Sequence, residues 1–296
     1  MKKVAFLSFL LILSLTAGVF NMATAQAENE KESEVVLRII TKDGNTFIGT
    51  LVSENDDELT LQTDQLGRIT IKRSDIKTIE QVDPKHIKDG EYWHENPQST
   101  RYLFSTNAFG LKKGEGYYQN TWIFFNNVNF GIRDHISLGG GLVPTFLFGS
   151  GSVPVWIMPK VSIPIANESL HIAAGGLFGG VIGEDNAGVG LAYGTATVGN
   201  RDNNLSLGIG YGYADGNWAD IPLININGMY RMNKNMFFIS ENYFVTAGGE
   251  TLGVISAALR WAPVNFAVDF GLVRPTGIGG EFVGIPWLGV TIPLGR

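Results

Sequence analysis

Cysteine is absent from the 296 residues. That excludes a disulfide framework, a thiolate metal site and a lipid-modified N-terminal cysteine. A basic excess is missing too: the formal net charge is −6, and no basic stripe of the kind nucleic-acid binders carry is visible. Only one long apolar run occurs, Val4 to Phe20, behind Lys2 and Lys3 and ahead of Ala25-Gln26-Ala27. A short basic region, an apolar run and a small-x-small site read as a signal peptide over residues 1–27, cleaved after Ala27, so the chain is expected to be exported.

Charge becomes scarce along the chain. Residues 28–96 hold 16 acidic and 9 basic side chains, whereas residues 97–296 hold only 12 and 11. Of the 38 glycines, 33 fall in that second part. A water-soluble module therefore precedes a charge-poor, glycine-rich one. We divide the chain into a signal peptide (1–27), a small β domain (34–83), a linker (84–98) and a large β domain (99–296).

In the first module, short β-branched runs alternate with period 2. Lys42-Asp43-Gly44-Asn45, Glu54 to Glu58 and Asp64 to Gly67 interrupt them, as turns do. About five short strands are enough for a small SH3-type barrel. The string KDGNTFIGTLVSENDDELTLQT resembles the first motif of Sm-like proteins, with Asp-Gly at a hairpin, Gly49 at a bend and an acidic turn before an apolar strand. That resemblance brings RNA to mind as a ligand, but an acidic module behind an export signal has no basic or base-stacking set. No nucleic-acid partner is expected. The module is instead expected to meet a periplasmic protein or a peptidoglycan-associated partner. Residues 84–98, which include His86, Glu91, His94 and Glu95, read as a solvated linker rather than a metal site, since a flexible stretch does not preorganise ligands. No metal or cofactor is expected anywhere.

From about Thr100 the chain repeats ten alternating residues, a turn and ten more. Leu205, Leu207, Ile209, Tyr211 and Tyr213 alternate with Ser206, Gly208, Gly210, Gly212 and Ala214. The stretch Tyr118 to Ile132 carries its bulk on even positions and its Gln, Thr and Asn mostly on odd ones. A soluble sandwich would carry Lys and Glu on its water face; here that face is Gly, Ser, Asn and Ala. Dyads of this length suit tilted strands that cross a bilayer, with the apolar face toward lipid and the polar face toward a lumen. Strands are expected near 100–108, 116–132, 136–145, 154–165, 170–183, 188–199, 205–215, 221–232, 236–247, 251–262, 266–275 and 282–294. Twelve is an even number, as a bacterial single-chain barrel requires.

Short polar junctions (Arg133-Asp134-His135, Ala166-Asn167-Glu168, Asn200 to Asn204, Asn233-Lys234-Asn235, Pro263-Val264-Asn265) are assigned to the periplasmic side. Phe146 to Val153, Glu184 to Ala187, Gly216 to Ala219 and Thr276 to Glu281 become the outer loops. The string NPQSTRYLFSTNAFGLKKGEGYYQNTWIFFNNVNFGI resembles the opening of uncharacterised Gram-negative outer-membrane barrels of the Bacteroidetes. The resemblance implies a fold and a bilayer location but no activity. Such barrels end in an aromatic residue, whereas this chain ends TIPLGR, so either the usual insertion signal is missing or Trp287 serves in its place.

Lys160, Arg231, Glu241, Arg260 and Asp269 fall on the lumen face, with His171 near the periplasmic rim. Charges at membrane depth face water or one another, so these five form either a selectivity constriction or an ion-pair network. Around Glu241 both phases mix polar and apolar residues, the pattern a bulge leaves. His135-Ile136-Ser137 has the His-x-Ser spacing of twelve-stranded outer-membrane phospholipases, but the expected turn at His135 and the Leu138-Gly139 that follows depart from that family. Three functions follow: a narrow channel for small polar solutes, a non-conducting barrel that anchors the first module, and, last, a lipid hydrolase. No enzymatic activity is expected.

Overall fold

The computed structural model describes residues 35–144, 146, 152–166, 169–183, 188–277 and 282–295. The expected signal peptide, the turn at Asn167-Glu168, the loop Glu184 to Ala187 and parts of the loops near 147–151 and 278–281 lie outside the described residues. Two compact units divide between Tyr92 and Trp93.

The first unit is a five-stranded antiparallel sheet: β1 (Val36–Thr41), β2 (Thr46–Glu54), β3 (Glu58–Thr63), β4 (Gly67–Lys72) and β5 (Ile76–Gln81), in the order β4-β3-β2-β1-β5. The two-residue strands β6 (Ile87–Lys88) and β7 (Glu91–Tyr92) pair beyond it. Two of its turns fall where Asp-Gly and Gly stand. Gly44 and Gly67 adopt positive φ, which only glycine tolerates freely. The Thr41 hydroxyl and then the Asn45 backbone amide hold the Asp43 carboxyl below its ordinary pKa by hydrogen bonding to its charged form. Leu37, Ile39, Leu59, Leu61 and Ile71 form the core. At Gly49 the chain passes so close to β3 that a Cβ would lie 2.3 Å from the Gln62 carbonyl oxygen.

The second unit is a closed antiparallel barrel of twelve long strands: β8 (Gly116–Thr121), β9 (Phe125–Arg133), β10 (Ile136–Leu142), β11 (Val153–Ala166), β12 (Leu170–Ile182), β13 (Val189–Gly199), β14 (Asn204–Ala214), β16 (Leu223–Arg231), β17 (Met236–Ala247), β18 (Glu250–Trp261), β19 (Ala267–Pro275) and β20 (Ile285–Leu294). A two-residue strand, β15 (Asn217–Trp218), folds back on β14. Neighbours in sequence are neighbours in the wall, and β20 pairs with β8 to close it, Leu294 opposite Gly116.

The count of twelve survives, but two of its members change. Residues 100–108 are not a wall strand, and Tyr118 to Ile132 is not one strand but the hairpin β8–β9. Its tip is Trp122-Ile123-Phe124, with positive φ at Trp122 and Ile123. No Gly, Pro or Asn-Gly announces that turn. Opposed residues such as Tyr117 and Asn129, or Tyr118 and Val128, have the same parity. The alternation therefore runs through the turn unbroken. Trp122 holds the tip: its indole nitrogen donates to the Pro286 carbonyl at 2.8 Å and its ring packs on Trp287.

Outward positions are apolar around the barrel. Leu205, Leu207 and Ile209 on β14, Ile157, Val161 and Ile163 on β11, and Leu288 and Ile292 on β20 are exposed. Monomeric soluble proteins rarely show apolar patches beyond a few hundred Å². Most inward positions are small, polar or charged, as the alternation predicts, but Met229, Phe237, Ile239 and Trp287 are large apolar side chains that point inward. A β-bulge at Glu241 is not found. The β17–β18 register is the same on both sides of it, Ile239 opposite Ala258 and Tyr243 opposite Val254. Side chains carry the rungs between. Glu241 N donates to Ser256 Oγ at 2.9 Å, and Ser256 N donates to Asn242 Oδ1 at 3.1 Å. The mixed polarity of ISEN marks side chains that substitute for backbone hydrogen bonds.

Candidate functional site: a segment inside the barrel

Most of residues 93–111 lie inside the barrel, while Glu95 and Lys112 to Gly114 are exposed at its end. Thirteen of the stretch from His94 to Leu111 have less than a tenth of their surface exposed, among them Arg101, Tyr102, Asn107 and Ala108 at 0%. This corrects two expectations. Residues 93–98 are not solvated linker, and 100–108 fills the bore instead of building its wall. Asx turns give the segment its local form: Asn96 Oδ1 accepts from Gln98 N, and Asn107 Oδ1 from Phe109 N, at 2.9 and 3.0 Å. Asn side chains make such turns readily. A tight turn at 102–105 closes with Tyr102 N donating to Ser105 O. The segment leaves over Gly131, where a Cβ would meet the Lys112 carbonyl oxygen at 2.1 Å, and Gly114 at φ +84° turns it into β8.

All five lumen charges named from the sequence bind this segment or the rim where it enters. Asp269 on β19 receives two guanidinium groups. Arg260 of β18 donates through Nε at 2.6 Å and Nη2 at 3.0 Å, and Arg101 of the segment donates through Nη1 at 3.1 Å. Arg260 also donates to the Gln98 and Tyr102 carbonyl oxygens, and Arg101 to those of Tyr102 and Leu103 and to the Thr291 hydroxyl. On β17, the strand next to β18, Glu241 Oε2 accepts three consecutive backbone amides, Leu103, Phe104 and Ser105, at 2.8, 3.0 and 3.0 Å. Successive amides turned inward form an anion cradle, and here a wall carboxylate fills it. Lys160 Nζ on β11 donates to the Thr106 hydroxyl and to the carbonyls of Asn107 and Phe109, the last at 2.7 Å. Arg231 grips Asp202 at 2.9 Å and the His94 carbonyl, also at 2.9 Å. The His171 ring packs against Phe109 at a tilt, with ring centroids 4.6 Å apart.

Apolar contacts complete the filling. Tyr102 and Leu103 pack with Met229, Phe237, Ile239, Ala258, Ala267 and Trp287 in a core inside the barrel. The Tyr102 hydroxyl reaches Asn204 and Ser206. With Arg101, Tyr102, Phe237, Ile239, Arg260 and Asp269 all at 0–1% exposure, water is excluded from that level of the bore along this wall.

Two groups were missed by reading the sequence. Arg101 is the sole charged residue between Asn96 and Lys112, and a lone charge in an uncharged run was the signal available. Arg201, in the turn after β13, donates to Ser99 Oγ and the Gly110 carbonyl and lies over the Phe109 ring. The His135–Ser137 pair is not assembled: His135 is exposed in its turn while Ser137 is buried on the lumen side. Among the described residues no acidic–histidine cluster has the makings of a metal site.

Above the segment, toward the rim formed by the β8–β9 tip, the bore widens into a cavity of about 110 Å³. Phe104, Ser105 and Leu111 make its floor, and Asn127, Asn129, Tyr193, Asn225 and Tyr243 stand on its wall.

No protein-family model matches the chain, and no curated protein matches it. Among solved structures it is similar to a KdgM porin, at 8% identity and a TM-score of 0.45, covering 62% of this chain and 99% of that one. The KdgM porin in complex with disordered oligogalacturonate gives 8% and 0.43, covering 62% and 98%. The outer-membrane expressed OmpT of Vibrio cholerae gives 10% and 0.30, covering 88% and 94%.

Proposed function

We propose that this protein is an outer-membrane β-barrel that forms a narrow passage for small polar solutes and is shut at rest by residues 93–115. The observation that carries the reading is the Arg101–Asp269–Arg260 cluster, a buried junction between the inserted segment and the wall. A closed barrel leaves no strand edge unpaired, and its apolar exterior suits lipid. The short turns at 133–136, 200–203, 232–235 and 262–266 face the periplasm, and the exterior rim is the one beside the cavity. The lumen charges act as an ion-pair and hydrogen-bond network that holds the stopper, not as a hydrated selectivity ring.

Planar-bilayer recording tests this. The intact chain is expected to be silent, and an Arg101→Ala, Glu241→Gln double variant to conduct. Steady conductance of the intact chain, equal to that of the variant, overturns the closed state. A double variant that inserts but stays silent removes the passage and favours a second reading, a barrel that anchors the first module.

The second reading has its own support, since the stopper follows the first unit directly in sequence. In either reading the 34–83 module works in the periplasm. Its five strands, the order β4-β3-β2-β1-β5 and the close approach at Gly49 support an SH3- or Sm-like domain, with a periplasmic protein or peptidoglycan-associated partner.

A further inference from the structure

The lumen asparagines of the cavity do not stand in the bore at random. Asn129 lies directly across the ladder from Gly139, Asn127 from Gly141, and Asn225 from Gly208. A Cβ at these glycines would fall 2.0, 2.4 and 2.2 Å from the amide oxygen of its asparagine. Each amide is thus laid flat against a neighbouring strand in a seat that only glycine leaves open. Tyr193 is flanked in the same way by Gly175 and Gly210, and a Cβ at Gly175 would meet its hydroxyl at 2.6 Å. The glycines therefore keep a flat amide and phenol lining around an open space, where larger neighbours would push those side chains into it.

We infer that this cavity is a binding cup for a small uncharged polyol, of the size of one sugar residue. Amides present both donors and acceptors, which suits adjacent hydroxyls. The Asn225 amide oxygen is buried with no hydrogen-bond partner, so no acceptor role fixes that amide, and a half-turn exchanges its donor and acceptor. Aromatic faces at Tyr193 and Tyr243 suit the C–H faces of a sugar ring. A volume of about 110 Å³ has room for roughly seven to eleven water-sized atoms at 10–15 Å³ each. Charged solutes are disfavoured. Among the described residues the one charged side chain on the lining is Lys160, already bonded to three oxygens, so an ion would lose its hydration without gaining a free counter-charge.

The cup rests on the membrane reading only for the side from which a ligand arrives. Its test is calorimetric titration and tryptophan fluorescence of the full chain in detergent, with Trp156 as reporter because its indole donates to Asn127 at 2.6 Å. The probes are D-xylose and its charged counterpart xylonate. Xylose is expected to bind saturably in the millimolar range and xylonate at least tenfold more weakly. An Asn129→Leu, Asn225→Leu double variant is expected to lose tenfold or more, as is Leu191→Trp, which narrows the cup without removing an amide. A folded wild type with no saturable xylose signal overturns the inference, as does equal binding of xylonate, or unchanged binding in either folded variant. If neither variant folds, the two probes on the wild type decide. Because binding is read without conductance, its failure leaves the membrane reading standing, and a barrel without heat-shifted gel mobility strikes the membrane reading alone.

Discussion

At Asp269 one carboxylate neutralises half of the charge of two buried guanidinium groups, and carbonyl oxygens of the inserted segment solvate the rest. Asp269→Asn leaves Arg101 and Arg260 buried without an anion. Breaking a buried pair from one side costs about 3–5 kcal/mol. The midpoint of urea unfolding, followed by the heat-shifted gel band, is expected to fall accordingly, and a shift worth under about 1 kcal/mol would show that water already reaches the cluster. The glycines offer a graded test. At Gly271 a Cβ would lie 2.3 Å from the Ala257 carbonyl oxygen, a backbone atom; at Gly139 it meets the far end of the Asn129 side chain; at Gly212 nothing lies nearer than 4.0 Å. Overpacking against fixed neighbours costs about 1–3 kcal/mol. Alanine should therefore destabilise most at 271, less at 139 and least at 212 in the same unfolding assay.

Among the elements, the inserted segment and the β8–β9 tip show two different ways in which local sequence is overruled. Three amides of the segment converge on Glu241, and hydrogen bonds to a charged group are worth about 1.5–3 kcal/mol. Glu241→Gln is expected to loosen the 102–105 turn while the wall stays whole. Trypsin should then cut after Arg101 in a variant that keeps its heat-shifted band, and equal resistance in wild type and variant would mean that the remaining contacts suffice. At the tip, Ile123 is exposed and sits at φ +69°. That left-handed region costs a side-chain-bearing residue about 1–2 kcal/mol. Ile123→Gly should raise stability by up to about 1 kcal/mol in urea unfolding. A loss instead would show that the Ile123 side chain, placed beside Trp122 and Phe124, gains more from its surroundings than its backbone forfeits.

For the whole molecule, the division between Tyr92 and Trp93 makes a prediction about truncation. Removing residues 28–92 leaves every anchor of the inserted segment from His94 onward, so the barrel should keep its heat-shifted mobility and stay silent in bilayers. Removing 28–115 takes the segment away and strips partners from Lys160, Glu241 and Asp269 together. That chain should be less stable or, where it inserts, conductive. If the two truncations behave alike, residues 93–115 neither support nor close the bore.

Alternation alone determined which face of most strands points outward: on β14, Ser206, Gly208 and Gly210 are buried between exposed Leu205, Leu207 and Ile209, and the pattern fades only at Ala214, which is exposed at the strand end. A period-2 pattern is a local property that the pleat imposes on any strand. The same property hid the hairpin at Trp122 to Phe124, because opposed residues of one parity leave the pattern unchanged across the turn. The lumen charges were legible as inward, since a charge on the lipid face is costly. Their partners were not legible. Residues 93–115 carry no period, because a chain threaded through a bore takes its form from the walls around it and not from its own ladder. Only closure of the barrel brought Arg101 to Asp269, 168 positions later, and turned a row of lumen charges into contacts with the inserted segment.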